Sequence, residues 1–134
     1  MWTCPKCNRT FVRNGQSHSC RTVSFDEHFK DKKLARELFD FLFEKINKQV
    51  GSCRIVSLPC CVHLVGKYDF LAVLPKKESL EIRFAIRRPL MDGRVTQSIS
   101  VNATDYKNCL NITKIEDMDE TLIGWITEAY SMKQ

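Results

Sequence analysis

The sequence has no run of about 18 apolar residues, the length a helix needs to cross a bilayer. Its start, Met1-Trp2-Thr3-Cys4, lacks the charged-then-apolar pattern of a secretory leader. A membrane span is therefore not expected. Seven cysteines without an export signal point to the reducing cytoplasm rather than to a disulfide framework. There is no Gly-rich phosphate loop, no nucleophile elbow, no paired-carboxylate spacing among Asp26, Asp69 and Asp92, and no internal repeat. These absences favour a binding protein over an enzyme. Aromatics able to stack on bases are scarce as well: Trp2, Phe11 and Tyr68 are the candidates, and each is as well suited to internal packing.

The richest local signal lies in the first 20 residues, where Cys4-Pro5-Lys6-Cys7 is followed, ten residues on, by His18-Ser19-Cys20. Three cysteines and one histidine supply the borderline-soft tetrahedral set that zinc prefers, and the Cys4/Cys7 spacing is that of a knuckle. Asn8 follows the second cysteine, where positive φ is needed and Asn tolerates it. Thr10–Arg13 reads as a strand, Asn14-Gly15 as a turn, and Gln16–His18 as the returning strand that would carry His18 and Cys20 back to the knuckle. Cys4, Cys7, His18 and Cys20 are thus the expected ligands of one structural Zn2+, with His28 the rival to His18. All four places are filled, which leaves no open position for catalysis. A redox Cys-x-x-Cys is the alternative for the first pair, but it needs a helix to lower the thiol pKa, and a hairpin is expected instead.

With 134 residues the chain accommodates a small module, 1–23, and one domain, 24–134. Ser24-Phe25-Asp26-Glu27 has a capping-box pattern for a short turn. A helix over 32–49 has a wide apolar arc: Leu34, Leu38, Phe41 and Leu42 beside Phe39, Phe43, Ile46 and Val50, with Gly51 as its stop. Extended runs follow at 54–58, 61–65, 68–74, 80–86, 95–101 and 110–113. The clearest is Leu80-Glu81-Ile82-Arg83-Phe84-Ala85-Ile86, which alternates strictly. A last helix over 119–131, capped by Asp117 or Asp119, presents Leu122, Ile126, Ala129 and Tyr130. The expected class is α+β: zinc hairpin, helix, a mostly antiparallel sheet of about five strands, helix.

Formal charge is +5 but uneven, at +4 over 1–33, +5 over 54–114 and −4 over 115–134. Arg9, Arg13 and Arg21 on the module, with Arg83, Arg87 and Arg88 on and after the best strand, make a candidate phosphate-tracking surface joined by Arg94, Lys67, Lys76 and Lys77. The simpler account of these charges is a solvated sheet face. Cys53, Cys60, Cys61 and Cys109 sit in apolar stretches and read as small buried hydrophobes. Cys61-x-His63, with Asp69 across the hairpin, could pair a thiol with an imidazole, but the simpler account is a strand alternation with His63 bonded to the backbone.

The Leu34-to-Ile46 helix, Tyr68-Asp69-Phe70-Leu71-Ala72-Val73, Leu80-Glu81-Ile82-Arg83-Phe84, and Glu116–Glu120 leading into Trp125 and Tyr130 resemble domain-of-unknown-function family 5655, found in bacteria. Some members of it similarly carry a Trp-x-Cys-Pro-x-Cys module ending in Gln-Ser-His-Ser-Cys, as Gln16–Cys20 do here. The resemblance implies a domain over about 25–131 that occurs alone or beside nuclease-like domains, and it implies no particular reaction. A zinc-stabilised binding module with nucleic acid as the first candidate partner is the resulting expectation. A protein–protein adaptor or homodimer, and a ligand-binding or enzymatic sheet face involving Cys61 or His63, stand as alternatives.

Overall fold

Helix α1, Lys33–Gln49, buries Ala35, Leu38, Phe39, Leu42 and Ile46, a stripe at three- and four-residue spacing. The computed structural model describes residues 1–18 and 20–132. Leu34, expected on the buried stripe, is on the exposed side, and Ala35 takes the inner position. A short 3-10 helix, Phe25–Phe29, precedes α1 where the capping-box pattern was read, although Ser24 makes no side-chain cap. Its Phe25 and Phe29 pack with Phe39 at ring separations of 5.2 and 5.4 Å.

The first two strands, β1 (Trp2–Thr3) and β2 (Thr10–Phe11), pair with each other around the Cys4–Cys7 turn. This corrects the expected hairpin. Asn14-Gly15 does turn, with Gly15 at φ 65°, but Gln16–His18 form no strand, and β2 pairs backward with β1. Six further strands, β3 (Arg54–Ser57), β4 (Val62–Val65), β5 (Asp69–Pro75), β6 (Leu80–Ile86), β7 (Val95–Ser100) and β8 (Tyr106–Ile112), make one antiparallel sheet in the order β3-β4-β5-β6-β8-β7. The sheet has one strand for each of the six extended runs read from the sequence, and β8 inserts between β6 and β7.

The final helix, α2 (Glu120–Met132), starts where the Asp119 carboxylate accepts the Leu122 N–H at 2.9 Å, an N-cap. Both helices lie on one face of the sheet. Val62, Leu64, Leu71, Val73, Ile82, Phe84, Leu110 and Ile112 meet Leu38, Leu42, Ile46, Leu122 and Ile126 in one core. Tyr130 of α2 closes the end of α1: its hydroxyl donates to the Ser52 carbonyl, and a Cβ at Gly51 would fall 2.6 Å from the ring. Close approach of this ring therefore requires glycine there. Asn108 faces the core from β8 with no exposure, and its amide is satisfied by Leu90 N–H, Ser98 hydroxyl, Arg88 carbonyl and Tyr106 carbonyl.

Since strand side chains alternate, the register places His63, Ala72, Arg83 and Cys109 in one cross-strand row on the face opposite the helices. Two irregularities shape that face. The β4–β5 register shifts between Leu64 and Val65, so that Val65 opposes Asp69 and β5 carries an extra residue. Phe70 and Leu71 consequently both enter the core, and Asp69 is turned to the His63 side. The β5–β6 ladder ends at Ala72↔Arg83, whereas β6–β8 runs on to Ile86↔Tyr106. The strands part there and leave a pocket.

Candidate metal centre and a second thiol cluster

In the N-terminal hairpin the Cys4 carbonyl accepts the Asn8 N–H at 2.8 Å, the Cys4 N–H donates to the Arg9 carbonyl at 2.9 Å, and Asn8 adopts φ 63°. This tight turn aims both knuckle sulfurs inward. Cys4 Sγ lies 3.6 Å from Cys20 Sγ, and His18 Nε2 lies 3.4 Å from Cys7 Sγ and 3.3 Å from Cys20 Sγ. The four ligand atoms lie within 4.8 Å of one another and could hold a metal ion. His18 Nδ1–H donates to the Gln16 carbonyl at 2.7 Å, which fixes the tautomer that leaves Nε2 free for a metal. Phe11 and Trp2 flank the His18 ring at 4.2 and 5.8 Å. The backbone N–H of Cys7 is the main influence holding the Cys4 thiol down, to about 6, and the neighbouring Cys4 sulfur pushes Cys20 up, to about 11. Crowded thiols without a cation resist shared ionisation, and a bound ion removes that conflict. His28 is outside this cluster, on the 3-10 helix, with a buried Nε2 that has no hydrogen-bond partner among the described residues.

The expected arginine surface is dispersed. Arg9 is buried against Phe11, its guanidinium 5.0 Å from the ring centre. Arg83 is ion-paired to Glu81 at 2.6 Å, and Arg88 to Glu128 of α2 at 3.1 Å. Arg94 is held by Asp92, Asp119 and the Asp117 carbonyl, and lies over Trp125. Arg13, Arg21 and Arg87 are exposed.

The second cluster surrounds the turn between β3 and β4. Pro59-Cys60 occupy the centre of a turn closed by Leu58 N–H to the Cys61 carbonyl at 3.0 Å. Cys61, the residue before β4, and His63 within it lie two apart and turn to one side, with Cys61 Sγ 3.1 Å from His63 Nε2. His63 Nδ1–H donates to Asp69 Oδ2, in a bond that is also an ion pair when the ring is charged. This corrects the expectation that a backbone group satisfies His63. Burial alone would lower the His63 pKa, but the Asp69 carboxylate and then Cys61 overcome it and raise it to about 10. Cys60 Sγ is 3.1 Å from Cys61 Sγ. Burial raises the Cys60 thiol, yet hydrogen bonds from Cys61 and His63 more than offset this and hold it below its ordinary value. Cys60 is exposed, contrary to the buried-hydrophobe expectation, whereas Cys61 and Cys109 are buried. Cys53 and Cys109 conform to it chemically, because burial raises both thiols, Cys53 to about 11.

A six-stranded antiparallel sheet with two helices on one face, extended at its start by a Cys/His hairpin, defines an α+β domain with a candidate metal site appended. Residues 25–133 match the family described as Domain of unknown function (DUF5655), and the chain belongs to that family. No curated protein and no solved structure matches the chain. No helix among the described residues is long and apolar enough to cross a membrane.

Proposed function

We propose that the chain is a cytoplasmic zinc-binding protein in which residues 1–23 form a module held by one structural Zn2+ and residues 24–134 form the family domain. The carrying observation is the convergence of Cys4, Cys7, His18 and Cys20 within 4.8 Å. Tetrahedral zinc separates two thiolate ligands by about 3.8 Å and a thiolate from an imidazole nitrogen by about 3.6 Å. The separations of 3.6, 3.4 and 3.3 Å are close to these. The small hairpin has little core of its own, so the ion supplies the energy of its fold. Elemental analysis of protein purified without chelator tests this. One equivalent of zinc, lost in Cys20→Ser, is expected, and metal-free native protein overturns the reading.

The module acts in binding, and nucleic acid is the first candidate partner. Net charge +5 and the exposed Arg13 and Arg87 support it, while Arg9, Arg83 and Arg88 are already committed to contacts within the protein. Phosphate contacts release counterions, so affinity for an oligonucleotide should fall steeply between 50 and 200 mM salt. Binding that is absent or insensitive to salt removes this partner.

A further inference from the structure

Nothing in the zinc reading uses Cys61, His63 and Asp69. They nevertheless form a thiol, an imidazole and a carboxylate in a line: Sγ to Nε2 at 3.1 Å, then Nδ1–H to Oδ2. Nucleophilic thiols are activated by an adjacent imidazole whose far nitrogen is held by a third group. The β5 bulge that turns Asp69 away from the core makes this line possible. A pocket of about 390 Å³ opens beside it where β5 leaves β6. Its walls are apolar through Leu71, Leu74, Phe84 and Val101, with Arg83 and Lys107 as cations. Arg83 is answered by Glu81. The Lys107 ammonium makes no ion pair or hydrogen bond among the described residues, so one positive charge at the pocket is unmatched.

We propose that Cys61, His63 and Asp69 form a nucleophilic thiol site whose pocket takes a small carbon electrophile bearing a negative charge. Cys61 is the nucleophile, His63 holds its proton on Nε2, and Asp69 is a positioning residue that fixes the ring. With an acyl donor the Cys61 sulfur forms a bond to the carbonyl carbon, and the bond from that carbon to the leaving group breaks. The leaving group takes the proton from His63 Nε2, and the acyl group remains on sulfur as a thioester. No oxidant or reductant is needed. The pocket walls accept the apolar part of the molecule and Lys107 meets its charge. The Asp69 carboxylate raises the His63 pKa and so favours the charged ring. The groups bearing on this pair are Asp69 from β5, Cys60 from the preceding turn, Arg83 with Glu81 from β6, and Lys107 and Cys109 from β8.

The test is alkylation of the whole zinc-loaded protein by iodoacetamide and by iodoacetate, read by peptide mapping at Cys61 from pH 5 to 9. In native protein the rate should be nearly flat from pH 6 to 8. In His63→Ala it should climb about tenfold per pH unit, as for an ordinary thiol of pKa about 8.5. At pH 6 an ordinary thiol is only about 0.3% ionised; the lower nucleophilicity of an acidic thiolate returns part of that, which leaves native protein at least about tenfold faster. Asp69→Asn should move the profile towards the ordinary thiol form, an effect that loss of packing alone would not give. Iodoacetate should gain on iodoacetamide relative to free glutathione, and Lys107→Ala should abolish that gain. Cys60→Ser should keep the rapid labelling and Cys61→Ser should lose it. A steep native profile, rapid labelling that persists in Cys61→Ser, no preference for iodoacetate, or Cys61 labelling only after chelation, as for a metal ligand, would each overturn the proposal.

Discussion

Two Cys/His clusters in one chain set one imidazole against two or more thiols, yet they differ in spacing and in what holds the imidazole. Around His18 the donor separations are 3.3 to 3.6 Å and a backbone carbonyl holds Nδ1. Around His63 both sulfur contacts are 3.1 Å and a carboxylate holds Nδ1. Either set of donor atoms is close enough to hold an ion, but only the second continues from its imidazole into a carboxylate as a hydrogen-bonded chain. A neutral carbonyl orients a ring that must stay uncharged to ligate, whereas a carboxylate favours the charged ring. Their settings differ in the same way. The first lies in a small hairpin with little core, and the second on a sheet backed by the main core.

The sharpest way to break this comparison is to remove the metal. Structural zinc contributes about 10–16 kcal/mol in small modules. Chelation, or Cys7→Ser, should therefore unfold residues 1–23, read as loss of the Trp2 fluorescence environment and of the His18 ring signals, while the α1 and α2 helical signal remains. A chelator that melts the helices as well would show the two regions to be one cooperative unit.

The converse experiment targets the core. Leu42 and Ile82 are fully buried. Leu42→Ala should cost about 2–5 kcal/mol, through lost burial and a residual cavity. Denaturant midpoints should fall accordingly, with zinc content still at one equivalent. Loss of zinc together with domain stability would again merge the regions. Gly51→Ala should cost less, about 1–3 kcal/mol, because its Cβ would push into the Tyr130 ring. Gly51→Ala combined with Tyr130→Leu should recover part of that loss, and failure to recover it would place the strain elsewhere.

The knuckle was legible because its chemistry is local: Cys4, Pro5 and Cys7 fix a turn whatever the rest of the chain does. Its strand partner was not legible. Asn14-Gly15 is a strong turn signal, but Trp2 and Phe11, 5.9 Å apart, form the ladder that exists. In the domain the alternation of Leu80–Ile86 and the stripes of both helices read directly from sequence, apart from Leu34, whose inner position Ala35 takes. The start of β8 did not, because Asn108 occupies a core-facing position and interrupts the apolar pattern from Tyr106 onward. The β4–β5 hairpin was legible, and so was the placing of Asp69 across it. What completes the line to His63 is one extra residue in β5, and Phe70-Leu71, two consecutive core residues in an otherwise alternating strand, was the signal available for it.

Acid gives the smallest and most selective separation of the two regions. Asp92 accepts from the Arg94 guanidinium and from the Arg94 N–H at 2.9 Å, which holds its carboxyl down to about 2. Arg94 in turn reaches the Asp117 carbonyl and Asp119, so the group ties the start of β7 to the cap of α2. A carboxyl whose folded pKa lies below its unfolded value stabilises the fold fully above about pH 4, and that contribution is lost as pH falls towards 2. Partial exposure screens the interaction, so Asp92→Asn should cost about 1 kcal/mol near pH 6 and almost nothing at pH 2. The zinc module should fail in the same acid range for another reason, since its thiolates must protonate and release the ion. Thermal melts of native and Asp92→Asn protein from pH 2 to 7, each with zinc content measured in parallel, separate the two processes. The difference in Tm should close with falling pH while zinc loss follows the same curve in both proteins. A Tm difference that persists at pH 2 would mean that Asp92 acts through packing rather than charge, and zinc loss shifted by the substitution would mean that the domain and its metal module are coupled.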